Sequence, residues 1–344
     1  MTGRAVWFAV PAGFDDPVRV SGGNVYDRRV IDELEETGWS VHTTEIGPDA
    51  AADAAARLAR VPDGALVLVD GLIAVRQPEA VVEASARCRV VVVAHMVVAG
   101  FADAAPEAIA AERRALCAAH HVIATSAWAS ERLIELGICR PGRSTVAVPG
   151  TDPAPAAAGT ADGGALLCVG VVAPHKGQDT LIDALAGLRG AARWTCTIAG
   201  SVATDPEFAE RVARRVDEAG LASHVRWAGV LGRDRLDAAY TGADLVVAPS
   251  RTESYGMAVA DALRRGIPVV ATRTGGIPEA VAPGDAAILV PPDRPDALRD
   301  ALRRWMTEPA LRERLTTAAR RGREDRPSWR DTARSIHSTL EELS

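Results

Sequence analysis

The sequence predicts an α/β protein built from two Rossmann-like, doubly wound domains that face a central cleft. Two observations support this prediction. Short apolar runs alternate with longer amphipathic helical patterns along the 344 residues, as in chains that form parallel sheets flanked by helices. Several of these runs are continuous in Val, Ile and Leu, which is typical of strands buried on both faces.

Six apolar runs in each half of the chain are predicted to be strands. Those of the first half are 5–10, 39–46, 65–70, 90–95, 121–126 and 145–149. Those of the second half are 165–170, 194–200, 225–230, 245–250, 268–273 and 287–290. Amphipathic patterns predict helices between them, for example over 30–36, 104–119 and 206–219. A ligand is expected at the carboxyl ends of such strands.

A stretch without periodicity divides the two halves. Residues 150–164 are rich in Pro, Ala and Gly, which indicates a linker. We therefore expect an N-terminal domain over 1–155 and a C-terminal domain over 160–327. The tail from 295 to 343 is Arg-rich with a helical pattern, and its charges are expected to form a solvated helix face.

Charge and cysteine usage exclude several classes of function. The net charge of −6 and the pI of about 5.7 argue against a nucleic-acid partner. Residues 1–150 hold 14 Arg against 19 Asp and Glu, a net charge of −5 that disfavours an anionic membrane surface. No apolar run is long enough to span a membrane, so we expect no stable insertion. The five scattered cysteines include no Cys-x-x-Cys pair, which favours free thiols and a cytoplasmic location.

Lys176 is the only lysine among 39 Lys and Arg residues. It lies in the segment 168–177, between two glycines at the end of an apolar run. An ammonium is a compact, rotatable cation, whereas a guanidinium is a planar fork. Because strand–Gly–loop–helix junctions hold phosphates, we expect an anionic ligand here rather than a lysine placed by chance.

The segment 248–263 contains the strongest constellation. Glu253 is expected just before a helix that begins near Tyr255, and the free amides of Gly256, Met257 and Ala258 would face a diphosphate. Asp261 follows Glu253 by eight residues and could bind two ribose hydroxyls, while Glu253 could bind a sugar. The structural alternatives are a capping carboxylate for Glu253 and a solvent-facing helix acid for Asp261.

Several residues at other predicted strand ends are weaker candidates. The amides of Gly22 and Gly23 could approach phosphate closely, or the pair could form an ordinary turn. His95 ends an apolar strand and could equally be structural. Gly200 and Gly229, with the adjoining Val230, are expected near a nucleotide base, although turn glycines are an equal alternative. No P-loop, G-x-G-x-x-G, nucleophile elbow or metal-ligand spacing is present, so no metal is expected.

Segment 253–261, with its Glu–Ser–Tyr–Gly–Met setting, resembles the paired-acid motif of retaining, glycogen-synthase-like glycosyltransferases of the GT-B fold (glycosyl transferases group 1). The resemblance extends to segments 170–177, 273–279 and 328–329, and more loosely to 21–24 and 93–95. It implies that Lys176 grips a nucleotide diphosphate and that Glu253 orients the donor sugar. It also implies that His95 lies beside that sugar and that helix 328–344 packs back on the N-terminal domain.

Two positions depart from the family pattern. The Arg that follows Gly170 in the family is Val171 here, so Arg251 or Arg273 would have to supply the second diphosphate cation. The second Glu of the family is Asp261, which is one methylene shorter. The remaining donor-binding residues implied by the motif are Ser254, Tyr255, Gly256, Met257 and Ala258.

The resemblance implies a retaining, metal-independent hexosyltransferase without a cofactor, whose donor is a UDP- or GDP-type sugar nucleotide bound by the C-terminal domain. The N-terminal domain would bind the acceptor, and its acidic charge favours a small soluble molecule. A sugar-nucleotide epimerase and a non-catalytic nucleotide-sugar-binding protein are the alternatives. The oligomeric state is left open.

Overall fold

The computed structural model describes residues 4–17, 20–47, 51–101, 104–188 and 193–344. The chain divides into two compact units. The N-terminal unit comprises Met1–Gly150 and Pro327–Ser344, and the C-terminal unit comprises Thr151–Arg326. The C-terminal end of the chain therefore belongs to the N-terminal unit.

The N-terminal unit contains a six-stranded sheet with the order β2-β1-β3-β4-β5-β6. Every neighbouring pair of these strands is parallel. The strands are β1 (Ala5–Pro11), β2 (Ser40–Ile46), β3 (Leu66–Asp70), β4 (Arg89–Ala94), β5 (His121–Ala124) and β6 (Ser144–Val146). The strand order reverses between β1 and β3, and doubly wound sheets bind ligands at the carboxyl ends of strands next to such a switch point.

Helices cover this sheet. They are α1 (Gly22–Glu36), α2 (Ala51–Leu58), α3 (Gly71–Arg76), α4 (Pro78–Ser85), α5 (Pro106–Ala118) and α6 (Ala127–Glu135), with the C-terminal helix Trp329–Leu343. A short 3-10 segment spans Val98–Gly100. Helix α1 begins earlier than its apolar pattern at 30–36 suggested, because the Ser21 side chain accepts a hydrogen bond from the Asn24 amide and caps a first turn made of Gly22 and Gly23.

The C-terminal unit contains a second parallel six-stranded sheet with the order β12-β11-β10-β7-β8-β9. Its strands are β7 (Ala165–Val169), β8 (Thr195–Ala199), β9 (Val225–Gly229), β10 (Leu245–Ala248), β11 (Val269–Thr272) and β12 (Ala287–Val290). The order reverses between β7 and β10. The loops after these two strands are those that contain Lys176 and Glu253.

The helices of the C-terminal unit complete its core. They are α7 (Gln178–Ala186), α8 (Pro206–Glu218), α9 (Arg233–Thr241), α10 (Met257–Arg264), α11 (Ile277–Ala280), α12 (Pro295–Thr307) and α13 (Pro309–Arg321), so the C-terminal helix is α14 (Trp329–Leu343). A 3-10 turn spans Pro174–Lys176. Leu166, Leu185 and Trp305 are among the buried residues of the core, where the sheet packs against α7, α8 and α12.

The return of α14 to the N-terminal unit has specific contacts. Ser328 and Asp331 form a capping box at its first turn. The Thr332 hydroxyl donates to the carbonyl of Val148 at 2.7 Å. A Cβ on Gly150 would lie 2.2 Å from the Trp329 amide nitrogen, so only glycine allows this close approach.

The predicted fold class is confirmed: each of the twelve predicted apolar runs overlaps one strand of the two parallel sheets. The helix expected near Tyr255 begins at Met257 instead, because Gly256 takes a left-handed conformation with φ of 105° at its N-cap. Among the described residues, the helices are too short or too polar to cross a bilayer.

Candidate active site

Lys176 and Glu253 form an ion pair at the carboxyl edge of the C-terminal sheet. Lys176 Nζ donates to Glu253 Oε2 at 2.5 Å, and both side chains are largely but not fully buried. Ser250 Oγ lies 3.4 Å from the same carboxylate oxygen. An ammonium has three N–H donors, and Glu253 is its only side-chain acceptor within the described residues. Two donors of Lys176 therefore remain for an anionic ligand.

The turn that carries Lys176 depends on the glycine after it. Gly177 has a φ of 68°, and a Cβ there would lie 2.2 Å from the carbonyl oxygen of Pro249. The chain after β7 thus packs directly on the chain after β10. This contact brings two residues that are 77 positions apart into one ion pair.

The backbone of Glu253 is held by the glycine loop after β11. The Gly276 amide donates to the Glu253 carbonyl at 3.0 Å. A Cβ on Gly275, whose φ is 52°, would lie only 1.7 Å from the same carbonyl oxygen. Segment 273–279, which the sequence singled out only by resemblance, therefore supports the loop that positions Glu253.

Helix α10 starts immediately after this loop. No side chain of the described residues caps its first turn, so the amides of Met257 and Ala258 point out of the helix without an intrahelical acceptor. Ser254 and Tyr255 are buried, at 6% exposure each. Their predicted contact with a ligand stays a prediction.

Asp261 lies on α10 and forms an ion pair with Arg265, one turn later in the chain. Its Oδ1 is 3.7 Å from Arg265 Nη1. Arg265 is itself buried, forms an ion pair with Asp237 and stacks on Tyr240, with its guanidinium carbon 4.6 Å from the ring centre. The carboxylate of Asp261 is thus held by a buried cation that the sequence analysis did not include.

Arg251 is engaged within the protein. Its guanidinium forms a bidentate ion pair with Asp179, at 2.8 and 3.0 Å. Its Nε donates a single hydrogen bond to Asp293 Oδ1 at 2.5 Å. Arg251 also donates to the carbonyl of Pro174 at 2.6 Å, beside Lys176. The Asp179 contact is the main cause that raises the pKa of Arg251. Arg251 thus acts as a clamp that joins the turn of Lys176 to Asp179 and Asp293. The roles of Arg251 and of the exposed Arg273 as diphosphate cations stay predictions.

The other candidates of this unit meet at the ends of β7, β8 and β9. The Gly200 amide donates to the Gly229 carbonyl at 2.9 Å, and a Cβ on Gly200 would lie 1.8 Å from the Gly170 carbonyl oxygen. The carbonyl of Val171 accepts a hydrogen bond from the Gln178 side chain at 2.9 Å. With Val230 next to Gly229, these residues lie at the carboxyl edge of the sheet, and their predicted contact with a base stays a prediction.

The N-terminal unit has its own polar cluster beside β1, β3 and β4. His95 Nε2 lies 2.8 Å from Asp27 Oδ1 and 3.1 Å from Asp70 Oδ2. Asp70 also caps α3 by accepting from the Leu72 and Ile73 amides. A Cβ on Gly23 would lie 3.3 Å from His95 Cδ2, so the first turn of α1 packs on the imidazole.

The charges of this cluster depend on one another. Burial raises the pKa of Asp27 to about 7, although His95 opposes the change. Burial alone would lower the pKa of His95, but the carboxylates of Asp27 and Asp70 outweigh it and raise that pKa to about 10. The pKa of Asp70 is lowered, because the hydrogen bond from His95 and the other polar contacts outweigh burial.

The three groups lie close enough together for a metal ion to be considered. One ligand-type atom from each of Asp27, Asp70 and His95 lies within 4.8 Å of the others. However, Nε2 lies at hydrogen-bond distance from both carboxyl groups, and a proton on that nitrogen satisfies this arrangement without a metal ion. We therefore describe the set as a hydrogen-bonded cluster and not as metal ligands, and the expectation of a metal-free reaction stays a prediction.

Sequence reasoning missed Asp27, Asp70, Asp179 and Arg265. For Asp70 a signal was present, since an acid followed by Gly71 directly after a fully apolar strand marks both a strand end and a helix cap. For Asp27 the only signal was its place one turn after Gly23. No local pattern distinguishes Asp179 or Arg265 from solvated helix charges.

Comparison with known proteins shows which family the C-terminal unit is similar to. Residues 159–322 match the sequence profile described as glycosyl transferases group 1. The D-inositol 3-phosphate glycosyltransferase of Jonesia denitrificans is 34% identical over 184 residues, which cover 52% of this chain and 43% of that protein. The similarity to the group 1 glycosyl transferases thus lies in the C-terminal unit. The chain spans between 43% and 61% of the length of the first curated relatives that it matches.

Solved structures show the fold over the whole chain. A sucrose-phosphate synthase from Thermosynechococcus elongatus matches with a TM-score of 0.82 at 20% identity, over 99% of both chains. Anabaena Alr3699/HepE in complex with UDP-glucose matches with a TM-score of 0.79 at 18% identity, over 98% of this chain and 99% of that chain. The predicted GT-B fold is therefore confirmed, and at these identities the likeness concerns the fold alone.

Proposed function

We propose that this protein transfers a sugar from a nucleoside-diphosphate sugar of the UDP or GDP type to a small soluble acceptor, with retention at the anomeric carbon. The observation that carries the proposal is the Lys176–Glu253 ion pair at the switch point between β7 and β10. The match of residues 159–322 to the group 1 family supports the reaction class. Relatives named D-inositol 3-phosphate glycosyltransferase support a small polar acceptor.

The chemical task is the departure of a diphosphate from an anomeric carbon. Fixed positive charge and hydrogen-bond donors, aimed where negative charge develops, stabilise such a transition state. Lys176 supplies the charge, and the uncapped amides of Met257 and Ala258 supply donors at a helix N-terminus. Glu253, whose carboxylate is held beside Lys176, would orient hydroxyl groups of the sugar.

The acceptor hydroxyl must lose a proton during the transfer. We propose that an oxygen of the leaving diphosphate takes it on the face that the leaving group vacates. Asp261 is proposed to bind the ribose through the carboxylate that Arg265 holds. The resemblance also predicts that His95 lies beside the donor sugar and that the Gly22 and Gly23 amides lie near phosphate. Both stay predictions.

The test is a panel of UDP-, GDP- and ADP-sugars. Binding of one donor class should raise the melting temperature, and incubation with polyols and their phosphates should release the nucleoside diphosphate. NMR of the product should then show the anomeric configuration of the donor. An inverted product would refute the mechanism. Turnover of the donor without any acceptor would instead indicate an epimerase, and binding without turnover a non-catalytic binding protein.

A further inference from the structure

The Asp27–His95–Asp70 cluster differs from a dyad in which one carboxylate orients a histidine base. In such dyads the carboxylate accepts a hydrogen bond from one ring nitrogen, and the other ring nitrogen keeps a lone pair. Here both carboxylates face the same nitrogen, at 2.8 and 3.1 Å from Nε2. Two acids therefore share the N–H of a single imidazole.

The surroundings of the ring fix its orientation. The Tyr26 ring packs against the imidazole in an edge-to-face arrangement, with ring centres 5.0 Å apart, and Trp329 of α14 packs on Tyr26 in the same way. Gly23 lies against Cδ2 on another side. The His95 side chain keeps 13% of its surface exposed. Since Nε2 is hydrogen-bonded to Asp27 and Asp70, Nδ1 is the ring nitrogen that can bind a ligand. Nδ1 has no hydrogen-bond partner within the described part of the chain.

The charges favour a cationic ring. Asp27 is fully buried and Asp70 is 2% exposed, and two buried carboxylates are costly unless a positive charge lies between them. Tyr26 is the other titratable group against the ring, and burial raises its pKa so that it stays neutral. The charged side chains that act most strongly on the ring are Asp27 and Asp70, and they raise the pKa of His95 to about 10 although burial opposes the rise.

We propose that Asp27 and Asp70 are positioning residues that hold His95 as an imidazolium with Nε2 turned inward, so that His95 offers Nδ1–H to a hydroxyl or phosphate oxygen of a substrate. His95 then acts as a hydrogen-bond donor and not as a general base. The charge and orientation of His95 do not depend on the proposed function. Only the reaction assigned to the bound substrate oxygen rests on it. The inference agrees with a transfer in which the leaving diphosphate removes the acceptor proton.

The test is histidine NMR without any substrate. The protein has seven histidines, and in a sample labelled at histidine Cε1 the signal missing from the spectrum of His95→Gln identifies His95. We expect this signal to stay at its imidazolium position from about pH 6 to about pH 9. In Asp27→Asn its midpoint should fall by at least about one pH unit. The matched control is Asp32→Asn, which removes the same charge from an exposed position of α1 and should leave the midpoint unchanged.

Three results would overturn the inference. The first is a wild-type His95 signal that moves to the neutral position below about pH 8. The second is an unchanged midpoint in Asp27→Asn. The third is selective broadening of the His95 signal by added Mn²⁺, because an imidazolium nitrogen cannot ligate a metal. If Asp27→Asn does not fold, Asp70→Asn serves instead, since an Asn oxygen can still cap α3.

Activity gives a second readout. With a fixed cation, kcat/KM should show no acid limb near pH 6.5 that persists in Asp27→Asn. A persisting limb would mark a histidine base, because this variant lacks the Asp27 carboxyl, whose pKa is about 7. Because the NMR experiment uses no donor or acceptor, its outcome stands even if the protein transfers no sugar. Failure of the inference and failure of the proposed function are thus distinguishable.

Discussion

The ammonium of Lys176 donates to the carboxylate of Glu253 at 2.5 Å, although 77 positions separate them in the chain. The two residues lie on the loops after β7 and β10, on either side of the point where the strand order of the C-terminal sheet reverses. One cation and one acid are thereby placed where doubly wound sheets bind ligands.

Replacement of this lysine tests its proposed role most directly. Lys176→Ala should lower kcat of the proposed transfer by about 10²–10³-fold, the scale of losing one preorganised charge-stabilising donor. Donor-dependent release of nucleoside diphosphate measures it. Arg233→Ala is the control, because it removes a cation from an exposed ion pair of the same unit. Turnover close to normal in Lys176→Ala would rule out the central assignment.

Asp261 is expected to act on binding more than on chemistry. Asp261→Ala should raise the KM of the donor more than it lowers kcat, because contacts to a remote ribose persist unchanged into the transition state. Donor affinity measured by calorimetry provides an independent value. Asp234→Ala, at an exposed acid on α9, should change neither quantity. An unchanged donor affinity in Asp261→Ala would remove Asp261 from the site.

The support of Glu253 by the glycine loop can be tested with two matched substitutions. Gly275→Ala would place a methyl group 1.7 Å from the Glu253 carbonyl oxygen and should displace that loop, so activity should fall by at least about tenfold. Gly284→Ala also places a side chain at a positive φ, here 93°, but with nothing within 4 Å, and should cost only about 1–2 kcal/mol of stability. Equal kinetics in the two variants would show that the contact does not position Glu253.

Arg251 should matter for stability because its partners are partly buried. Arg251→Met would leave Asp179, at 18% side-chain exposure, without its bidentate partner and release the Pro174 carbonyl. We expect a loss of about 1–3 kcal/mol in the free energy of unfolding. Arg294→Met breaks an exposed ion pair and should leave the free energy of unfolding nearly unchanged. Denaturant unfolding compares them, and similar losses would contradict the clamp.

The His95 cluster predicts how stability changes with pH. The folded state binds the His95 proton more tightly than the unfolded chain, since the folded pKa is about 10 and the usual value is 6.5. This contribution is fully present below pH 6.5 and is lost as the pH rises through 10. Unfolding of the wild type should therefore become easier over this range, and more steeply than that of His95→Gln. Parallel pH curves for the two proteins would contradict the shifted pKa.

Much of the fold could be predicted because it follows from local patterns. Buried parallel strands need continuous apolar runs, and each predicted run overlaps a strand. Element boundaries were less predictable where a single residue sets them. Ser21 caps α1 well before the apolar pattern of that helix becomes visible at Val30. Gly256 delays the start of α10 by adopting a φ of 105°.

The candidate site was only partly predictable for a related reason. Lys176 and Glu253 stand in motifs with recognisable spacing, so the sequence indicated both. Asp27 and Asp70 have no motif of their own. Their importance arises because α1, β3 and β4 bring two acids to one nitrogen of His95. The same holds for Arg265, which looks like any helix-surface cation until its contacts with Tyr240 and Asp237 are seen.

The sequence by itself determined the two parallel sheets, the residues of the C-terminal motif and the place of the single lysine, because periodicity and glycine-containing turns act over a few residues. Only the tertiary structure decided which charges meet: Lys176 with Glu253, Arg251 with Asp179, and His95 with two carboxylates. The physical reason is that burial and the distance between charges set the strength of an ion pair and the state of a proton. Both depend on packing between segments that are far apart in the chain.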